Sequence, residues 1–273
     1  MAILINDYTI TEFVDFEAYH RSTGLLDFKL EEMQNFTLNA TQDKNPLTGK
    51  NGRIIGYKKA NKAISGEGTY GLISAGLMKA QTGGSITASD SLSVKKSEVK
   101  VVSGATVTTD ATATGTAGAE IGEIKVLADN GAVAATYAQA ASADATHFSY
   151  NPSTKTITLP VDSGTGVIAN GKKIVYSYTR TVSGTKVTDP SDTFSEVREV
   201  WIHEFGTDSC DNEYFIAIHI PRADFSGEFS IELGGDQTVH NFSFDAMADL
   251  CAASSGISSD LFDVIIYTNS SNE

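Results

Sequence analysis

The chain has 273 residues, enough for one large or two ordinary domains with a full core and no need of disulfide or metal staples. Its net charge of −14 is segregated: residues 1–90 carry a net −1 and residues 91–187 a net +2, while residues 188–273 hold two basic and seventeen acidic side chains, a net −15. That balance excludes tight wrapping of nucleic acid, which needs phosphate-neutralising Lys and Arg, and a one-sided acidic block points to a surface that repels something.

Charged residues are 20% of the chain, below the usual quarter, and Ala, Gly, Ser and Thr are plentiful, which favours strands and loops. Residues 1–29 read as an extended arm that becomes a strand, and MAILINDYTITEF lacks the basic and apolar regions of a signal peptide. Residues 30–41 continue as a strand with Phe36 and Leu38 on one face. Residues 41–56, TQDKNPLTGKNGRIIG, read as a long polar connection, punctuated by Pro46, Gly49, Gly52 and Gly56 and mildly basic through Lys44, Lys50 and Arg53. Such a loop is expected to be disordered in an isolated subunit and to order against a partner.

Residues 57–66 resume a strand with a cationic edge. Residues 68–84 are the best helix candidate, with Leu72, Ile73, Leu77 and Ala80 at helical spacing and Gly83-Gly84 as a stop. Residues 85–119 end in a Thr/Ala run, SGATVTTDATATGTAGA, that fits a thin hairpin or a mobile loop. EIKVLADNG, the hairpin THFSYNPSTKTITLP and residues 170–182 read as further strands, and DPSDT at 189–193 breaks the chain.

The most regular stretch runs from Glu196 to Cys251. Tyr214, Ile216, Ile218 and Ile220 alternate with Phe215, Ala217 and His219 until Pro221, where the run is expected to stop. Apolar residues on both faces there point to a strand covered twice, the second time by a neighbouring element or another subunit. Phe229, Ile231 and Leu233 alternate with Glu228, Ser230 and Glu232, the period-two pattern of a half-buried strand. Gly234-Gly235-Asp236 reads as a hairpin turn into a third strand around Val239 to Phe244, residues 244–250 as a helical turn or two, and LFDVIIY as a closing strand. The expected fold is mainly antiparallel β, a sandwich or partly rolled barrel with one or two short helices. Residues 1–84 and 170–273 are expected to form its core and residues 85–169 an inserted hairpin layer or an extra module.

No constellation carries catalysis. Gly49-Lys50 fails as a phosphate loop, because Lys44 stands where the first glycine is needed and no Ser or Thr follows Lys50. Cys210 and Cys251 fit no metal or redox spacing. His203 and His219 lie in expected strands and could approach each other, but they read as structural histidines; no metal or cofactor is expected. The carboxylate pairs Glu196/Glu199 and Glu228/Glu232 read as a solvated strand face, and Trp201 as a core or subunit-contact residue. No run reaches 18 apolar residues, so no membrane span is expected.

The stretch FTLNATQDKNPLTGKNGRIIGYKKANKAISGEGTYGLISAGLMKAQTGG resembles the N-terminal half of tailed-bacteriophage tail tube (major tail) proteins, in which a strand, a long polar loop, a returning strand and a short Leu- and Gly-rich helix follow one another. The ending PRADFSGEFSIELGGDQTVHNFSFDAMADLC, with LFDVIIY after it, is similar to tail and virion proteins. The resemblance covers residues 28–84 and 170–268 and implies a non-enzymatic virion subunit, made in a bacterial cytoplasm, that forms hexameric rings stacked into a DNA-conducting tube. The implied partners are copies of itself and other tail proteins, such as a tape measure, sheath, terminator or connector, with DNA passing through unbound. On this reading Lys44, Lys50, Asn51 and Arg53 belong to an inter-ring loop, and Glu228, Glu232 and Asp236 line the lumen. The alternatives are a capsid decoration or baseplate protein, and a carbohydrate-binding or adhesin module using Trp201 and the tyrosines as a sugar platform.

Overall fold

The computed structural model describes residues 7–228, 230, 239–248 and 260–268. In chain order they form β1 (Thr9–His20), β2 (Leu26–Leu30), β3 (Met33–Thr48), β4 (Ile54–Tyr70), α1 (Ala75–Thr82), β5 (Ser85–Val101), β6 (Thr106–Thr108), β7 (Glu123–Leu127), β8 (Val133–Gln139) and β9 (His147–Asn151). There follow β10 (Thr156–Thr158), β11 (Val161–Asp162), β12 (Thr165–Gly166), β13 (Lys173–Thr188), β14 (Val197–Thr207), β15 (Glu213–Phe225), β16 (His240–Ala246) and β17 (Asp263–Tyr267). The fold is mainly antiparallel β with a curled, half-barrel sheet and one short helix, as expected from the sequence.

Two compact units result, one from the described residues up to 86 and from 187 onward, the other from residues 87–186. The second unit therefore takes in most of β13, which the sequence reading assigned to the first. In the first unit the sheet order is β2-β1-β14-β15-β16-β4-β3, with β17 also paired to β15. Next to its middle strand, β15, lies β14, where Arg198, Val200, Ile202 and Glu204 turn inward and Glu199, Trp201, His203 and Phe205 turn outward, the alternation that a two-faced sheet dictates. The inward residues meet a cluster of rings. Phe16 lies 5.2 Å from Phe242 and 6.2 Å from Phe28, and Phe225 lies 5.6 Å from Phe244, centroid to centroid. Two glycines in β4 make this possible. A Cβ on Gly66 would fall 2.3 Å from the Phe244 ring, and one on Gly68 2.9 Å from Phe242, so the rings lie directly on the strand backbone.

The helix α1 is shorter than the sequence predicts because residues 68–70 continue β4. Ser74 caps it by accepting from the Leu77 N–H at 3.2 Å, and Gly83, at φ 70°, ends it by donating to the Lys79 carbonyl. Leu77 and Ala80 are fully buried in the core. Beside the helix a buried Arg198 donates from Nε to Asp27 at 2.8 Å and pairs with Glu196 through Nη2 at 2.5 Å, while Lys79 reaches Asp27 at 2.8 Å. Burial alone would raise the Asp27 carboxyl, but the hydrogen bonds from Lys79 and Arg198 outweigh it and hold the group below the usual range.

Four further expectations are corrected. Residues 41–56 are not a loop: Thr41 to Thr48 pair with Ile54 to Ala63 around a single 3-10 turn at Lys50–Gly52, because Thr, Ile and Tyr form strands even where nothing is buried beneath them. Pro221 does not end its strand. It stands at a register shift, between the residues of β15 that pair with β17 (Phe215 to His219) and those that pair with β16 (Ala223 to Phe225), where no ladder needs its missing N–H. Residues 244–246 are not helical but the end of β16, with Phe242 and Phe244 packed inward. The Gly234-Gly235-Asp236 turn and Cys251 lie outside the described residues.

In the second unit the order is β5-β13-β7-β8-β9-β10-β6, with β8 and β9 parallel, β13–β7, β7–β8, β9–β10 and β10–β6 antiparallel, and β11–β12 a separate ribbon. Ile124, Phe148, Ile157 and Ile174 form its core. The Thr/Ala run is the fourth correction: it is neither hairpin nor free loop. The Ala111 N–H donates to the Tyr178 hydroxyl at 3.1 Å and the Ala113 N–H to the Tyr150 hydroxyl at 2.9 Å, so long-range tyrosines fix a segment that cannot fix itself. Beneath it Glu98, 6% exposed, accepts from the hydroxyls of Tyr178 and Tyr176 at 2.5 and 2.8 Å and pairs with Lys96 at 3.1 Å.

Candidate assembly interface

Three surfaces of the first unit carry the residues of interest. The first is the arm made by β3 and β4. From residue 41 to residue 63 no side chain is buried, and Leu47, Ile54, Ile55 and Tyr57 are 50, 56, 74 and 57% exposed. Asn51, at φ 66°, and Gly52, at φ 74°, reverse the chain, and the Gly49 N–H donates to the Arg53 carbonyl at 2.7 Å across the turn. Lys50, Asn51 and Arg53 thus sit together at the tip. Lys44 does not join them: it pairs with Lys59, about 20 Å back along the strand at 3.3 Å per residue. Lys58, Lys59 and Lys62 add to the expected cations, so residues 41–63 carry six basic side chains against Asp43 alone.

The second surface is the outward face of β3, β4 and β16. Register aligns Asn35, Thr69 and Asn241 in one row, Thr37, Glu67 and Ser243 in the next, and Asn39, Ser65 and Asp245 in a third, with Asp224 of β15 beside Asp245. The Thr69 hydroxyl donates to Asn241 Oδ1 at 3.0 Å, and the Asn241 amide to Ser230 Oγ at 2.9 Å. Glu228 and Ser230 stand over this grid, and together they border an open concavity of 630 Å³. No lysine or arginine occupies a grid position. Of the three residues expected to line a lumen, Glu228 is exposed on this polar face; Glu232 and Asp236 lie outside the described residues. Sequence reasoning missed Glu67, Asp224 and Asp245. The alternation of Phe242 and Phe244 with Ser243 and Asp245 was the signal that would have found two of the grid's members.

The third surface is the outward face of β1, β14, β15 and β17, half-buried and aromatic. Trp201 stacks on His219 with centroids 4.1 Å apart and lies 6.4 Å from His203, so the two histidines flank one ring. Trp201 Nε1 donates to Glu199 Oε1 at 3.0 Å, the same atom that lies 2.9 Å from His219 Nε2, and His219 Nδ1 lies 3.7 Å from Asp263. Phe205, Phe215 and Tyr267 continue the face, with successive centroids 4.7 and 5.6 Å apart. Asp15, Glu17 and His203 offer ligand atoms within 4.8 Å of one another on the same side.

The first unit, mainly β, thus presents a solvent-exposed apolar arm, a polar grid and an aromatic sheet face. The chain belongs to the YomU/Tube protein family, whose model matches residues 8–259. This agrees with the tail tube resemblance and with a structural component of a bacteriophage tail. No curated protein matches the chain. Among the described residues no helix is long and apolar enough to cross a membrane.

Proposed function

We propose that this protein is a tail tube subunit whose copies form hexameric rings, stacked into a channel that conducts DNA. The observation that carries the reading is the arm. A two-stranded ribbon is marginal in water, and this one holds four large apolar side chains in solvent at its distal half. Burial against the next ring turns that liability into contact energy, and the six cations meet a subunit whose C-terminal third is strongly acidic. Each exposed ion pair would contribute only about 0–1 kcal/mol, so charge sets register while apolar burial sets stability.

The polar grid supports the channel. Its amides and hydroxyls offer DNA no apolar trap, and Glu67, Glu228, Asp224 and Asp245 repel phosphate. In a ring the potential of each copy adds to the others in a space where screening over about 8 Å is incomplete. The tail's other proteins (tape measure, sheath, terminator or connector) are the further partners, and assembly takes place in the host cytoplasm. No observation favours the sugar-platform reading, since Trp201 is engaged by His219 and Glu199 within its own sheet face. Negative-stain microscopy of the purified full chain tests the proposal. Rings or filaments with a central channel are expected; monomers at every concentration would overturn it.

A further inference from the structure

On the third surface, β1 is interrupted by a register shift between Phe13 and Asp15, a bulge of the kind that re-aims side chains. Beyond it Asp15 pairs directly across the ladder with His203 of β14, and Glu17 follows on the same face. Lys29 of β2 sits 2.9 Å from Asp15 Oδ2 and 3.4 Å from Glu17 Oε1, and it also reaches Glu31 at 3.5 Å. The other two carboxylate oxygens are engaged differently. Glu17 Oε2 accepts from the Tyr19 hydroxyl at 2.5 Å and lies 3.9 Å from His203 Nε2. Asp15 Oδ1 is buried, in a residue only 8% exposed, and has no hydrogen-bond partner. A buried carboxylate oxygen left unpaired costs about 1–3 kcal/mol or more, so its neighbourhood is a place where a cation gains.

We propose that Asp15, Glu17 and His203 bind one divalent ion of the zinc type, with water as the fourth ligand. One imidazole and two carboxylates suit a borderline cation and disfavour magnesium, which prefers an all-oxygen shell. Lys29 already holds Oδ2 and Oε1, which leaves Oδ1, Oε2 and Nε2 for the ion. Tyr19, donating to Glu17, orients one ligand as an outer-sphere partner does. Donors now within 4.8 Å must close to about 3.4 Å for tetrahedral bonds near 2.1 Å, a side-chain adjustment that His203, at the accessible end of the cluster, is free to make. The bound ion ties β1 to β14 at the bulge, where their ladder is broken. The inference is independent of tube assembly, because every ligand comes from one chain.

Calorimetric titration of the full chain at neutral pH with Zn²⁺, and with Mg²⁺ as the hard-cation control, tests it. One equivalent of zinc and no magnesium is expected. His203→Ala, which removes a partly exposed side chain, should weaken zinc at least about 100-fold, since loss of even outer-sphere partners costs 10–100-fold. Cobalt should quench Trp201, the only tryptophan, in the parent and not in His203→Ala. Lys29→Gln supplies a readout that a purely structural cluster would not give. With the competing ammonium gone the two carboxylates repel, so the variant should melt lower than the parent, bind zinc about tenfold tighter and regain its melting temperature with Zn²⁺ but not with Mg²⁺. Absence of stoichiometric zinc binding, parent-like affinity in His203→Ala, or Lys29→Gln unrescued by zinc would each overturn the proposal.

Discussion

Replacing Ile54 and Ile55 together by serine separates folding from assembly. The two side chains are 56 and 74% exposed at the arm's tip. Full burial of an isoleucine is worth about 1.5–3 kcal/mol, so covering the exposed fractions gives roughly 2–4 kcal/mol per subunit for the pair. At tenfold per 1.4 kcal/mol, the concentration needed for assembly should rise by roughly 30- to 700-fold. Within the subunit nothing is lost, because no residue from 41 to 63 is buried, and surface changes of this kind stay within about 0.5 kcal/mol. The assay is a sedimentation series over concentration, paired with thermal denaturation of the dissociated subunit. Assembly at the parent's concentration would refute the reasoning, and so would a melting temperature lowered by several degrees, since that would mean the tip packs within its own chain.

Gly66→Ala should destabilise the first unit by about 1–3 kcal/mol as the Phe244 ring is displaced, and an unchanged melting temperature would show that the ring has room. The Asp27 carboxyl is lowered in the folded state, so the stability it contributes is present above its unfolded value near 3.8 and is lost as pH falls through the folded one. Asp27→Asn should flatten that acid limb in denaturant titrations. Glu204 behaves oppositely. Burial raises it and Oε2 has no hydrogen-bond partner, so its charged form penalises the fold increasingly as pH rises above 4.5, and Glu204→Gln should raise stability at neutral pH. Changing Glu67 and Glu228 together to lysine should leave assembly intact and slow genome delivery in a particle carrying both changes; normal delivery would remove the grid from the channel.

The elements legible in the sequence are those whose two faces differ. In β14 each inward residue alternates with an outward one, and Gly83 marks the helix's end, whereas the Ser74 cap was overlooked and the start was read too early, at residue 68. The arm was not legible as strand because both of its faces are solvated, so residues 41–63 show no burial period and their polar, glycine-bearing texture resembles a loop. In β16 the pair Phe242 and Phe244 runs on to Met247 and Leu250, a spacing that mimics a helix when the ladder to β4 is out of sight. Long-range register is the hidden information. Glu67, Ser243 and Thr37 are distant in sequence and share one row of the grid, and Asp15 and His203 meet only because β1 pairs with β14. The Thr/Ala run was illegible for the same reason, since its order is supplied by Tyr150 and Tyr178 from other strands.

A helical reconstruction of filaments assembled from the full chain tests tube formation most directly. The account predicts stacked six-fold rings around an open channel, with Ile54 and Ile55 buried against the neighbouring ring and Glu67 and Asp245 facing the channel. Filaments with the arm left in solvent and the polar grid on the outer wall would contradict it.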